Sequence, residues 1–273
     1  MIKSNVMNEN TLNLYSERGI MNALIFSIWK DKEKVTEFLR EFGLKEKMNF
    51  EDVVGYHFYP EYSLSDFGDT DLVIIVNYND GAKDAIFIEA KVKTFDSSWK
   101  IKNEKKKFRK AISKNASKES KSDLFYQLRL KNMLFKNKNR QESEQNKNFA
   151  VEDKYYSNGR RRKGEERLRK IGKNGIVLKL FEELKKCTNA YFLSIVPDNI
   201  DKAQNLDIFQ FDEEHEVPEN IVFISWGAIE DYYKEKQTKS EQMQKDYALI
   251  IDTFENNRVG NKSQIYEREE RGK

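Results

Sequence analysis

Apolar residues recur along the chain at two periods, and the change from one to the other marks out its elements. "SERGIMNALIFSIW" (16–29) and "KVTEFLREF" (34–42) repeat at helical spacing, with a break near Asp31 and an end at Gly43. "VVGYHFY" (53–59) has strand character and stops at Pro60. "DLVIIVNY" (71–78) and "AIFIEAKV" (85–92) are rich in Val, Ile and Phe and are joined through "NDG", a hairpin signal. Three consecutive antiparallel strands are therefore expected. A helix follows over 122–135, with Ser122 or Asp123 near its N-cap. Strands follow at 189–196, ended by Pro197, and at 220–226, and helices at 226–235 and 240–257 close the pattern.

Two polar segments interrupt this order. Residues 99–121 hold ten Lys or Arg against two Glu, and residues 136–175 are basic and poor in apolar side chains. Helices distributed along one sheet, with basic insertions at about 99–121 and 136–175, suggest one α/β domain over 1–273 with a central mixed sheet flanked by helices.

Composition narrows the function classes. Of 273 residues, 38% are hydrophobic, enough for a core, while the net charge of +3 says little about partners until its distribution is considered. The single cysteine, Cys187, excludes an intrachain disulfide and a cysteine-rich zinc site. The two histidines, His57 and His215, are too far apart to form a local metal motif. No apolar run approaches the roughly 18–20 residues of a membrane span, and the polar start resembles no signal peptide. A cytoplasmic protein is expected. No glycine-rich phosphate loop is present, so ATP-driven chemistry is not expected.

Three charged residues stand in the most strand-like part of the chain: Asp71, Glu89 and Lys91. Side chains alternate along a strand, so Phe87, Glu89 and Lys91 share one face, and Asp71 shares a face with Val73 and Ile75. Residues 71 and 89 are about equally distant from the turn near 79–82, which should bring Asp71 close to 89–91. Clustered carboxylates in a sheet call for a compensating cation. Two carboxylates and a nearby backbone carbonyl suit Mg²⁺, which prefers oxygen and keeps several waters. A bland alternative is a Glu–Lys surface pair on an open sheet face.

The order of a helix carrying Glu, a strand, "TDLVIIV", "IFIEAKV" and a helix carrying Gln resembles the PD-(D/E)xK nuclease superfamily, of restriction-endonuclease-like fold. The likeness runs loosely over 17 to about 235, and only the short motif is sharp. Thr70 stands where the family's name has Pro, and Asp66 and Asp69 compete with Asp71, which alone abuts the apolar run. The resemblance implies a nuclease that hydrolyses DNA with Mg²⁺ (or Mn²⁺). Asp71, Glu89 and the Ala90 carbonyl would hold the metal, and Lys91 would be the catalytic lysine. Glu17, at the end of the stripe Met21, Leu24 and Ile28, would complete the metal site or merely complement its helix dipole. Gln127, on the stripe Leu124, Leu130 and Leu134, would lie near the active site. Arg129 and Lys131 on the same helix are expected to face solvent, where either could reach DNA. The dense basic cluster Arg160, Arg161, Arg162 and Lys163 could supply phosphate contacts or form a solvated insertion, and Tyr155 and Tyr156 beside it could stack on bases or anchor the loop. Cutting both strands of a duplex would favour a homodimer. The rival reading is a non-catalytic nucleic-acid-binding or scaffold module that keeps the fold. His57 and Trp226 are expected to be structural, and His215 to lie at the surface.

Overall fold

The computed structural model describes residues 16–92, 99–113, 123–140, 149–153, 168–197, 204–205, 217–218 and 221–257. Three strands form an antiparallel meander: β1 (Val53–Pro60), β2 (Leu72–Tyr78) and β3 (Lys83–Ala90). The turn between β2 and β3 closes through Gly81 at φ +84°, a left-handed conformation that costs glycine little. Beyond β3 the sheet turns parallel, through β6 (Asn189–Val196) to β8 (Ile221–Ser225), and a two-residue strand β7 (Gln204–Asn205) pairs antiparallel with β8. The resulting six-stranded order is β1-β2-β3-β6-β8-β7. It is a mixed α/β sheet flanked by helices, and β3 and β6 run through its middle.

Both faces are covered, which is why Leu72 to Val76 form an unbroken apolar run rather than an alternating one. On one face Leu72, Ile74, Ile86, Ile88, Leu193 and Ile224 pack against α1 (Ser16–Ile28), α2 (Lys32–Leu39), α6 (Trp226–Gln237) and α7 (Glu241–Asn257). On the other, Val73, Ile75, Phe87, Phe192 and Phe223 pack against α3 (Ile101–Ser113), α4 (Leu124–Asn137) and α5 (Gly175–Lys186). A small ribbon of β4 (Ala150–Glu152) and β5 (Leu168–Lys170) adds Val151 to this second core.

The expected helices and strands are present within a few residues of their predicted ends. Asp31 caps α2 through the Glu33 and Lys34 amides, and Gly43, at φ +94°, ends the helical run beyond it. Asp123, not Ser122, caps α4, accepting the Phe125 amide at 3.1 Å. The basic segments contribute more structure than their composition suggests. Residues 101–113 form α3, which buries Ile101 and Phe108 and turns its lysines outward. α5 lies where the sequence reading assigns no element; Asn174 caps it, and Val177, Leu180, Phe181 and Leu184 are buried. Among the described residues no helix is long and apolar enough to cross a membrane.

Candidate active site

The ends of β2 and β3 bring the acidic residues together. Register pairs Leu72 with Ile88, so Asp71 lies beside Glu89, one step beyond the ladder. The Asp71 carbonyl accepts the Glu61 amide at 3.1 Å, and its Oδ2 accepts the Ala90 amide at 2.7 Å. This second bond aims the Asp71 side chain across at β3. An amide and carbonyl of one strand residue point the same way, so the Ala90 carbonyl also faces the Asp71 side. Glu89 is 1% exposed and lies on the face covered by α4, while its own carbonyl accepts the Ser194 hydroxyl at 3.3 Å.

Lys91 follows Glu89 by two residues but does not share its partner. The ladder ends at Ala90, and the Lys91 backbone is anchored beyond it: its amide donates to the Ile195 carbonyl at 2.8 Å, and its carbonyl accepts the Trp226 indole at 3.0 Å. Its side chain therefore swings around the sheet end toward α1, placing Nζ 3.8 Å from Glu17 Oε1. Glu17 Oε2 accepts the Val92 amide at 3.1 Å. Glu17 is thus drawn to the site rather than out to solvent, while Met21, Leu24 and Ile28 of its stripe enter the core. Arg18 points away and pairs with Glu61 at 3.3 Å.

The expectation that Lys131 and Arg129 face solvent is overturned. α4 is buried almost all round, since the sheet covers one side and α3 and the β4–β5 ribbon cover others. Lys131 is 0% exposed, and its Nζ stands 2.9 Å from Glu89 Oε1. The two form an ion pair, and apart from each other neither the Glu89 oxygens nor the ammonium has a hydrogen-bonding partner among the described residues. Gly68, at φ +83°, approaches that ammonium, and a Cβ there would meet it at 3.5 Å, an ordinary van der Waals contact. Arg129 turns the other way, into a bidentate pair with buried Asp153 at 2.8 and 3.2 Å. Arg169 binds the same carboxylate and donates to the Tyr126 hydroxyl at 2.6 Å and to the Asp66 carbonyl. This network fastens β4–β5 to α4. It also occupies Asp66, whose Oδ2 accepts the Lys170 amide, and Asp69 is exposed. Neither competitor of Asp71 enters the site.

Five buried side-chain atoms among the described residues have no hydrogen-bonding partner: Glu89 Oε1 and Oε2, Asp123 Oδ2, Gln127 Oε1 and Lys131 Nζ. Apart from Glu89, all belong to α4 at positions 123, 127 and 131. Four-residue spacing places these on one helix face, which leads to Glu89. Buried polar atoms are normally satisfied, and a cluster of exceptions marks a place for water or an ion.

The electrostatics follow from burial. Burial pushes the Glu89 carboxyl up to about 7; the Lys131 ammonium opposes this, the Asp71 carboxylate adds to it, and Lys91 opposes it more weakly. Burial also raises Glu17, against the pull of Lys91 and with the push of Asp71. Asp123 is pushed up to about 7 by burial and by the Glu104 carboxylate, against the Phe125 and Tyr126 amides. Asp153 is held below its ordinary value because its two arginines outweigh its burial.

Among the described residues no three His, Cys, Asp or Glu side chains stand close enough together to form a complete protein metal cage. Mg²⁺ does not need one, since it binds through one or two carboxylates and keeps its waters. Asp71 and Glu89, with the Ala90 carbonyl turned toward them, are a hard-oxygen set of that kind. The orphaned oxygens of Glu89 and Gln127 fit the same ion or its waters. Glu17 reaches the group through Lys91.

Arg160, Arg161, Arg162, Lys163, Tyr155, Tyr156 and His215 lie outside the described residues. His57, on the outer strand β1, is exposed, whereas Trp226 is fully buried. Lys131 is the residue that the sequence reading missed. Its signal is its spacing of four from Gln127 and eight from Asp123, a second polar line on a helix read as having one apolar stripe. The chain matches no protein-family model, no curated protein and no solved structure.

Proposed function

We propose that the protein is a metal-dependent nuclease that hydrolyses phosphodiester bonds in DNA, with the restriction-endonuclease-like arrangement that its motif resembles. The observation that carries this reading is the meeting of Asp71 with Glu89 across the β2–β3 register, beside buried oxygens that have no hydrogen-bonding partner. Asp71, Glu89 and the Ala90 carbonyl would hold Mg²⁺ or Mn²⁺. When bound, the ion supplies positive charge for the negative charge that develops on the phosphate in the transition state. Asp71 is pre-aimed by the Ala90 amide, so it need not reorganise to bind. Lys91, held by its backbone and by Glu17, orients the attacking water with its ammonium N–H groups. Gln127, one helical turn before Lys131 on the same face of α4, offers a neutral acceptor. The arginines and lysine at 160–163 supply phosphate contacts, and a homodimer would place two such sites on a duplex.

A non-catalytic nucleic-acid-binding or scaffold module is favoured by one specific observation. Lys131 already supplies Glu89 with a positive charge, and a buried pair of this kind serves a fold without a metal. A plasmid-nicking assay with Mg²⁺, Mn²⁺, Ca²⁺ or chelator separates the two readings. The nuclease nicks with Mg²⁺ or Mn²⁺ and binds without turnover in Ca²⁺. Lys91→Ala keeps its metal affinity and loses cleavage. Full cleavage in chelator excludes this mechanism, and unchanged cleavage by Lys91→Ala removes Lys91 from it.

A further inference from the structure

We infer that Lys131 is a resident counter-cation of the metal site: its ammonium holds the Glu89 carboxylate in the metal-free protein, and a divalent ion must displace it to bind. This rests on the metal-site reading above and goes beyond it by assigning the competitor to a helix outside the motif.

Three observations support it. The Lys131 ammonium is 0% exposed and stands 2.9 Å from Glu89 Oε1, so it occupies the place from which a cation would contact that carboxylate. Glu89 is the one partner of that ammonium among the described residues, and no backbone carbonyl or other side chain accepts its remaining N–H donors. A buried lysine serving only the fold would be expected to spend its donors on carbonyls, because an unsatisfied ammonium is costly. A lysine that yields to a second cation needs a weakly anchored head and somewhere to move. Gln127 Oε1, one helical turn away and without a partner, is an acceptor on the same face. Lys91 does not have this role, since its ammonium is turned to Glu17.

The chemistry of the exchange is one of charge. A divalent ion and an ammonium on one carboxylate repel each other, and in a buried site that repulsion is poorly screened. The metal-free protein is thereby spared an uncompensated carboxylate, and the ion binds more weakly than the same oxygens would otherwise allow. Lys131 is a positioning residue, because it acts on the metal through Glu89.

The test is calorimetric titration of the full chain with Mn²⁺ at a pH of about 8, where a buried carboxylate more readily keeps its charge. It compares the parent with Lys131→Met, Lys131→Gln and Lys131→Arg. Circular dichroism confirms folding, and Lys131→Gln, which keeps a donor for Glu89, serves if Lys131→Met does not fold. Removing the charge should tighten Mn²⁺ binding at least tenfold and enlarge the rise in Tm that the ion produces. Lys131→Arg, which keeps the charge, should bind like the parent or more weakly. Equal or weaker binding by both neutral variants overturns the assignment while leaving the metal site standing. If neither the parent nor any variant binds Mn²⁺, both the assignment and the metal-site reading fall.

Discussion

Glu89 and Lys131 should behave as one unit in stability measurements, with unequal single costs. Glu89→Met leaves an ammonium buried among apolar atoms without its carboxylate. Breaking a buried pair in this way costs about 3–5 kcal/mol. Lys131→Met leaves the opposite charge, but burial pushes the Glu89 carboxyl up to about 7 even with Lys131 opposing, so without that ammonium it escapes more readily by taking up a proton. Its cost at pH ~6 should be only about 1–2 kcal/mol, growing as the pH rises past 7, where the parent carboxylate ionises beside its ammonium and the variant has no such pair. The double variant replaces both charges by apolar chains of similar length and should recover to within about 1 kcal/mol of the parent. The double-mutant coupling should therefore be at least about 3 kcal/mol. Urea denaturation followed by circular dichroism, in chelator so that no ion intervenes, measures all four proteins. If the double variant costs the sum of the single variants to within about 0.5 kcal/mol, the two residues do not interact in solution and the buried pair is refuted.

Further outcomes are expected elsewhere in the fold. Asp153→Asn should destabilise by about 3–5 kcal/mol, because it strips the shared carboxylate from the two buried guanidiniums of Arg129 and Arg169; a loss below 1 kcal/mol by urea titration would contradict the network. Asp123 has a folded pKa raised from 3.8 to about 7, so the native state keeps a proton that the unfolded chain releases, and stability falls as pH rises across that window. Asn caps a helix as well as Asp, so Asp123→Asn should match the parent near pH 4 and exceed it by about 2–4 kcal/mol above pH 7; Tm curves that stay parallel over this range would contradict the burial argument. Replacing Arg160, Arg161, Arg162 and Lys163 by Ala should weaken DNA binding and flatten its salt dependence; an unchanged slope would place the phosphate contacts elsewhere.

Strand chemistry was the most legible part of this sequence. The apolar runs at 72–76 and 85–88, with Gly81 between them, fix a hairpin register, and that register alone brings Asp71 to Glu89. Parity was less informative once the ladder ended. Lys91 has the parity of Glu89, yet one residue past the last pairing its side chain is free to turn to Glu17 on the other side. The role of α4 was not legible from a single stripe. A helix with Leu124, Leu130 and Leu134 on one face suggests that its other faces meet water, but β4–β5 comes from 13 or more residues downstream and covers them, burying Arg129 and Lys131. The same long-range closure hid the structure within the basic segments. Phe149, Val151, Arg169 and Ile171 are too sparse among charges to show a local period, and they become core only when brought against Phe67 and Phe181. The buried Glu89–Lys131 pair also reverses an inference natural to the motif, that Glu89 can be removed without cost to the fold.

Anomalous diffraction from crystals soaked in Mn²⁺ would show whether Asp71 and Glu89 jointly hold a divalent ion, as the proposed phosphodiester hydrolysis requires. One strong manganese peak is expected at the end of β2 and β3, bonded to the carboxylates of both Asp71 and Glu89, and lost in Asp71→Asn. Full soaking with no manganese between those two carboxylates, or a peak that survives Asp71→Asn unchanged, would contradict it.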